Sequence, residues 1–262
     1  MLSDRNQKIV CVVEARMTSS RLPGKTMKKI MGKPMLQFLI ERLKRAKSIN
    51  DIVIATSNHP EDKVIQELAE KIGVNCYRGS LEDVLSRVIE ATRYVNGDII
   101  VEITGDCPLV DPDIIDHMVN TYLNSNVDYV SNVLEATYPA GMDVQVFSLK
   151  VLEELSEITS NPEEREHCSW LIYKNPEKTK YKLLNVKGPK ELFNPHLRLM
   201  VDYPQDFEFV SRIYENLYPA KPDFNIYDIL DLLRRKPELK EINENLKIKV
   251  FEGQKIAENP DV

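Results

Sequence analysis

The strongest constraint on this chain is the run KIVCVVE at residues 8–14, an apolar, β-branched stretch with no helical period, followed at once by a polar loop. Such a strand must be covered on both faces, the condition of a strand inside a parallel sheet flanked by helices. The loop, ARMTSSRLPGK at 15–25, holds small residues at Ala15, Thr18, Ser19 and Ser20, cations at Arg16, Arg21 and Lys25, and a Pro23-Gly24 turn. Open α/β sheets bind ligands beyond the carboxyl ends of their strands, and Arg forks, a lysine and hydroxyls suit a polyphosphate better than a neutral metabolite. Neither GxxxxGK[ST] nor GxGxxG is present. Taken alone, the loop is also readable as a solvated basic turn, the lesser of the two readings.

The remaining segments repeat the alternation. Residues 51–56, 74–77 and 98–103 read as strands, and residues 60–72 and 82–95 as helices closing at Gly73 and at Asn96 or Gly97. Pro34 opens another helix, whose buried stripe is Leu36, Leu39, Ile40 and Leu43. Helices between strands imply right-handed βαβ crossovers and a three-layer α/β/α fold with a mostly parallel sheet. In the second half, strands are expected at 128–133, 143–148, 181–186 and 197–201, and helices at 149–158 and 163–173. These add mixed or antiparallel strands to the sheet edge and build a second substrate's pocket. With no Pro/Gly/Ser linker, residues 1–250 form one expected domain, helical from about 205, and 251–262 a mobile tail.

Charge decides the class of partner. Lysine and arginine number 35 against 41 acids, a net charge of −6, so the cationic loop is a local site for a small anion and nucleic acid is not an expected partner. The amino terminus has no apolar signal core and no run of eighteen apolar residues occurs, so a cytoplasmic protein without a membrane contact is expected. Cys11, Cys76, Cys107 and Cys168 show no CxxC spacing and read as reduced structural thiols.

Two aspartates follow apolar strands. TGDCPLVDP at 104–112 places Asp106 just past the strand at 98–103, and VDYPQDFE at 201–208 places Asp202 past the strand at 197–201. Meeting across one crevice, such a pair can hold Mg²⁺, which takes one or two carboxylates and leaves its other positions to phosphate and water. Asp111 or Asp113 reads as a helix cap, and Asp206 as a helix amino-terminal charge. In YPAGMDVQVF at 138–147, Gly141 permits close backbone approach; an acceptor-facing loop and an ordinary hairpin turn both fit. His59, His117 and His196 have no ligand-spaced partners, and no nucleophile elbow is present.

ARMTSSRLPGK together with GKPM at 32–35 resembles the nucleotide-binding signature of the sugar cytidylyltransferases, which include the 3-deoxy-manno-octulosonate and acylneuraminate enzymes. The nearest similarity is to the spore coat polysaccharide biosynthesis protein F group, over most of residues 8–215. The resemblance implies a nucleotide-diphospho-sugar transferase-like, Rossmann-like fold. It also implies Mg²⁺-dependent transfer of CMP from CTP to an anionic sugar or sugar-like acceptor, with pyrophosphate released, in surface polysaccharide or glycoconjugate biosynthesis. By matching motifs, Lys25, Arg16 and Asp106 are the catalytic candidates, and Asp106 and Asp202 the metal ligands. Ala15, Arg16, Ser20, Arg21, Lys25, Ser57, Arg78, Gly79, Ser80, Thr104 and Asp106 are expected around the nucleotide. Tyr138, Gly141, Asp143, Arg165 and His167 are expected around the acceptor. A homodimer is implied as well.

Thr104 stands where the octulosonate enzymes have Gln, which leaves another nucleotide open, such as GTP with a sugar phosphate. A metal-dependent glycosyltransferase using Asp111-Pro112-Asp113 and a non-catalytic nucleotide sensor also fit these residues.

Overall fold

Side chains along β1 (Ile9–Glu14) alternate between two apolar layers. Cys11 and Val13 enter one cluster, whereas Val10 and Val12 enter the other. Period two is the geometry of a pleated strand, and burial on both faces explains why every residue from Val10 to Val13 had to be apolar. The computed structural model describes residues 7–174 and 176–258; residues 1–6, 175 and 259–262 lie outside the described residues.

The chain then runs through α1 (Met35–Leu43), β2 (Asp51–Ser57), α2 (Lys63–Ile72), β3 (Asn75–Gly79), α3 (Val84–Tyr94), β4 (Ile99–Thr104) and α4 (Pro112–Leu123). It continues through β5 (Tyr129–Ser131), β6 (Gln145–Ser148), α5 (Leu149–Ile158), α6 (Pro162–Glu166), α7 (Trp170–Lys174) and β7 (Leu183–Asn185). The helices α8 (Pro204–Leu217) and α9 (Ile226–Arg235) follow. Among the described residues the seven strands form one sheet in the order β3-β2-β1-β4-β6-β5-β7. Pairings are parallel except those of β6 with β4 and with β5, so the sheet is mostly parallel with one reversed strand. Helices α1, α2, α4, α8 and α9 pack on one face, and α3 and α5 on the other, giving the three layers the alternation implied. Each fully buried Val or Ile in these layers contributes about 1.5–3 kcal/mol.

Three expectations for the second half are corrected. Residues 197–201 do not form a strand of the sheet; they run extended beside residue 140, with a single isolated bridge between Ala140 and Arg198. The helix expected at 163–173 is two short helices, because His167 leaves the helical region at φ −112° and ψ 80°. Residues 251–256 are not free of the body. Lys255–Ile256 pair in parallel with Glu135–Ala136, and the Trp170 indole donates to the Glu252 carbonyl at 3.0 Å.

Candidate active site

From β1 the chain winds outward through β2 to β3, then crosses back to lay β4 on the other side of β1. The loops after β1 and β4 therefore diverge at the point where strand order reverses, which is where open α/β sheets leave a crevice. Gly105 keeps the two loops together. Its N–H donates to the Glu14 carbonyl at 2.8 Å, and a Cβ there would stand 2.7 Å from that oxygen.

The cationic loop closes over the same crevice. Lys25 donates to Asp106 Oδ2 at 2.8 Å, to Asp202 Oδ1 at 3.1 Å and to the Val201 carbonyl at 2.8 Å. Arg21 donates to Asp202 Oδ1 at 2.6 Å, and Thr104 Oγ1 to Asp106 Oδ1 at 2.6 Å. A backbone bond of 2.8 Å from Val201 N to the Asp106 carbonyl ties the two aspartate segments directly. Burial opposes charge on both Lys25 and Asp106, but their pairing wins: the ammonium titrates above its usual range and the Asp106 carboxyl below its own.

Asp202 is held from behind. Asp206 in the first turn of α8 accepts from the Asp202 and Tyr203 amides, each at 3.0 Å, and takes both arms of the Arg198 fork at 3.0 and 2.8 Å. Asn243 donates to it as well, at 2.9 Å. Asp206 is thus a buried support for the segment that presents Asp202. Asp111 caps α4 through the Asp113 amide at 2.9 Å and accepts from Ile226 N at 2.7 Å, so the Asp-Pro-Asp stretch is spent on helix ends.

Two cavities meet at Asp106. One, of about 240 Å³, is lined by Ala15, Arg16, Ser20, Arg21 and Lys25, with Thr104 and Asp106 opposite. Of the other residues expected around a nucleotide, Ser57, Arg78, Gly79 and Ser80 do not line it. Ser57 hydrogen-bonds Asp62, and Arg78 donates to the carbonyls of Ser57 and His59. Arg87 lines this cavity and was missed. Its side chain is buried, it donates to the Ser80 and Leu81 carbonyls, and its Nε has no partner. In sequence it looks like any arginine on an amphipathic helix.

The second cavity, of about 320 Å³, shares Glu14, Arg21, Thr104, Asp106, Glu166 and His167 with the first. Tyr138 and Asp143 line it, and His167 lines both cavities. Gly141, at φ 101°, lets its loop pass so close to the next segment that a Cβ would lie 2.7 Å from Met200 N. Arg165 is not brought here: it donates to Asp83 Oδ2 at 2.8 and 3.0 Å and to the carbonyls of Ser156 and Thr159. One wall comes from the carboxyl-terminal segment, including Lys249, Phe251, Gln254 and Lys255.

Asp106 and Asp202 suit a hard divalent cation, because both present carboxylate oxygens to the one point where the Lys25 ammonium stands, and Mg²⁺ needs no more protein ligands than these two.

A sheet of this order, with cations over the reversal point and two aspartates sharing one lysine, fits a nucleotide-dependent transferase. A family model described as cytidylyltransferase matches residues 10–224, and the chain belongs to that family, the CTP-dependent nucleotidyltransferases. The chain is similar to a solved cytidylyltransferase from Leptospira borgpetersenii, at 33% identity and a TM-score of 0.83, covering 93% of this chain and 99% of that one. An uncharacterized protein of Methanocaldococcus jannaschii is 35% identical over 93% of this chain and 98% of its own length. The spore coat polysaccharide biosynthesis protein SpsF of Bacillus subtilis is 29% identical over 88% of this chain and 95% of its own. Among the described residues no helix is long and apolar enough to cross a membrane.

Proposed function

We propose that this enzyme transfers CMP from Mg²⁺·CTP to an oxygen of a sugar or sugar-like acceptor, releasing pyrophosphate, in the synthesis of a surface polysaccharide or glycoconjugate. The observation that carries the reading is Lys25 joining Asp106 and Asp202 where the two cavities meet. The similarity to the spore coat polysaccharide protein supports the biosynthetic setting.

The cavity with Arg16, Arg21 and Lys25 takes the triphosphate, whose charge those side chains neutralise. Asp106 and Asp202 would hold Mg²⁺, which supplies charge stabilisation at the phosphoryl oxygens when bound. The acceptor oxygen, held in the second cavity, attacks the α-phosphorus; the bond to the bridging oxygen breaks, pyrophosphate leaves and the acceptor's proton passes to solvent. Lys25 moves from its carboxylate partners to charge that develops on the phosphates, so the protein works by positioning and electrostatics without a nucleophile of its own. The reading treats residues 1–250 as one catalytic unit and includes pairing into a homodimer, which sedimentation would test.

The deciding experiment incubates the protein and Mg²⁺ with CTP, UTP or GTP and a panel of sugar acids, amino sugars and sugar phosphates, with products read by mass spectrometry. A CMP-linked sugar with an equal amount of pyrophosphate is expected. Preference for GTP, or consumption of a preformed nucleotide sugar, would overturn the assignment.

A further inference from the structure

The acids of the second cavity fall into two groups. Asp106, Asp202 and Glu166 each have a cation: Lys25 for the first two and Arg16, at 3.2 Å, for the third. Glu14, Glu102 and Asp143 have no salt bridge among the described residues. Glu102 lies on β4 opposite Gln145 of the reversed strand β6, only 5% exposed, and its carboxyl meets Gln145 Nε2 at 3.2 Å and Cys168 Sγ at 3.1 Å. The same thiol lies 3.5 Å from Glu14 Oε1, so two carboxyls and a thiol crowd one corner of the floor.

Such a floor is costly without a positive charge. Burial, and then the neighbouring Glu14, push the Glu102 carboxyl well above the carboxylate range. The walls are aromatic: Tyr138, Trp170, Tyr173 and Phe251. Two of these rings already carry ammonium groups, Lys174 Nζ 4.1 Å from the Trp170 centroid and Lys249 Nζ 4.2 Å from that of Phe251. The cations that line this cavity lie elsewhere. Arg21 is engaged by Asp202 and Lys255 by Glu135 at 3.2 Å, and Lys249 and Lys255 belong to exposed positions of the carboxyl-terminal wall.

We propose that the acceptor carries a protonated amine, which enters the floor formed by Glu14, Glu102 and Asp143 between the aromatic walls. This rests on the reading of the second cavity as the acceptor site. Negative charge on the same acceptor lies toward Lys249 and Lys255, so the cavity selects an amino sugar, and among charged ones a zwitterion over a simple sugar acid.

The test measures binding to the full chain, with CTP and Mg²⁺ present, of sugars matched except for an amine in place of a hydroxyl. Suitable pairs are glucosamine with glucose, galactosamine with galactose, and 8-amino-3,8-dideoxy-manno-octulosonate with 3-deoxy-manno-octulosonate. At least one amine is expected to bind about tenfold more tightly than its partner, roughly 1.4 kcal/mol. That preference should fall below about threefold in Glu102→Gln, and likewise in Asp143→Asn should the first variant fold poorly. If no amine binds at millimolar concentration, if hydroxyl partners bind equally well, or if the preference survives both substitutions, the proposal is overturned. CTP affinity recorded on the same samples separates the two readings: wild-type protein that fails to bind Mg²⁺·CTP sinks the proposed reaction, whereas CTP binding with indifference to amines sinks the amine site alone.

Discussion

The ammonium of Lys25 lies 2.8 Å from Asp106 Oδ2, joining the loop after β1 to a carboxylate 81 residues further along the chain. The same nitrogen reaches Asp202, 177 residues away, so one lysine gathers three separate segments into a single charged centre.

Lys25→Met should destabilise the metal-free protein by about 3 kcal/mol, since it leaves two carboxylates in a largely buried site without their shared cation. Millimolar Mg²⁺ should return part of that loss. Urea unfolding with and without Mg²⁺ reads both effects, and a metal-free variant as stable as wild type would show that the carboxylates do not depend on the lysine.

The pairing also sets a pH window. The Asp106 carboxyl is depressed from 3.8, so its contribution is fully present above that value and is lost as pH falls through the lower folded value. Lys25 is raised from 10.5, so its contribution is present below that value and is lost as pH rises through the higher folded one. The stability gap between wild type and Asp106→Asn should therefore stay flat from about pH 5 to 9 and narrow outside it. A gap that closes near neutrality would place the titration on another group.

Asp202 and Asp206, four residues apart, should fail in different ways. Asp106→Asn and Asp202→Asn should each lower kcat about a hundredfold or more at saturating Mg²⁺. Asp206→Asn should instead cost about 3 kcal/mol of stability by stranding the buried Arg198. Paired turnover and unfolding measurements on the three variants decide it; near-wild-type kcat in either of the first two removes that residue from the metal centre.

Mg²⁺·CTP should stabilise the fold by about 2.7 kcal/mol at a hundredfold excess over Kd, with GTP giving less. Arg87→Met should weaken CTP affinity about tenfold, because it removes a positive charge from the wall of the cavity proposed for the triphosphate. Thermal melts and calorimetry provide the check. Equal stabilisation by GTP, or an unchanged affinity in the variant, would remove the pyrimidine preference or the Arg87 contact respectively.

The first half of the fold was legible because β1, β2 and β4 are buried on both faces and are written mostly in apolar, β-branched residues. The end of each such strand then located Ala15 and Asp106. Asp202 was found by the same logic although its segment is not a strand, since an extended apolar run before a helix reads alike whether or not it joins a ladder. His167 was placed inside a helix because its neighbours keep a helical pattern; the break at that residue turns Cys168 toward Glu14 and Glu102, partners that no local pattern announces. Arg165 failed to reach the cavity for a related reason. Its partner Asp83 lies 82 residues away, and charge alone does not reveal which acid a guanidinium will meet.

Residues 248–256 lie beyond the stretch matched by the family model, yet they form a wall of the second cavity and none of the first. On the proposed reading, the loop that takes the triphosphate and part of the acceptor wall therefore lie on different lengths of chain. If that reading holds, substitutions confined to residues 248–256 change which acceptor is bound and leave the phosphate loop as it is.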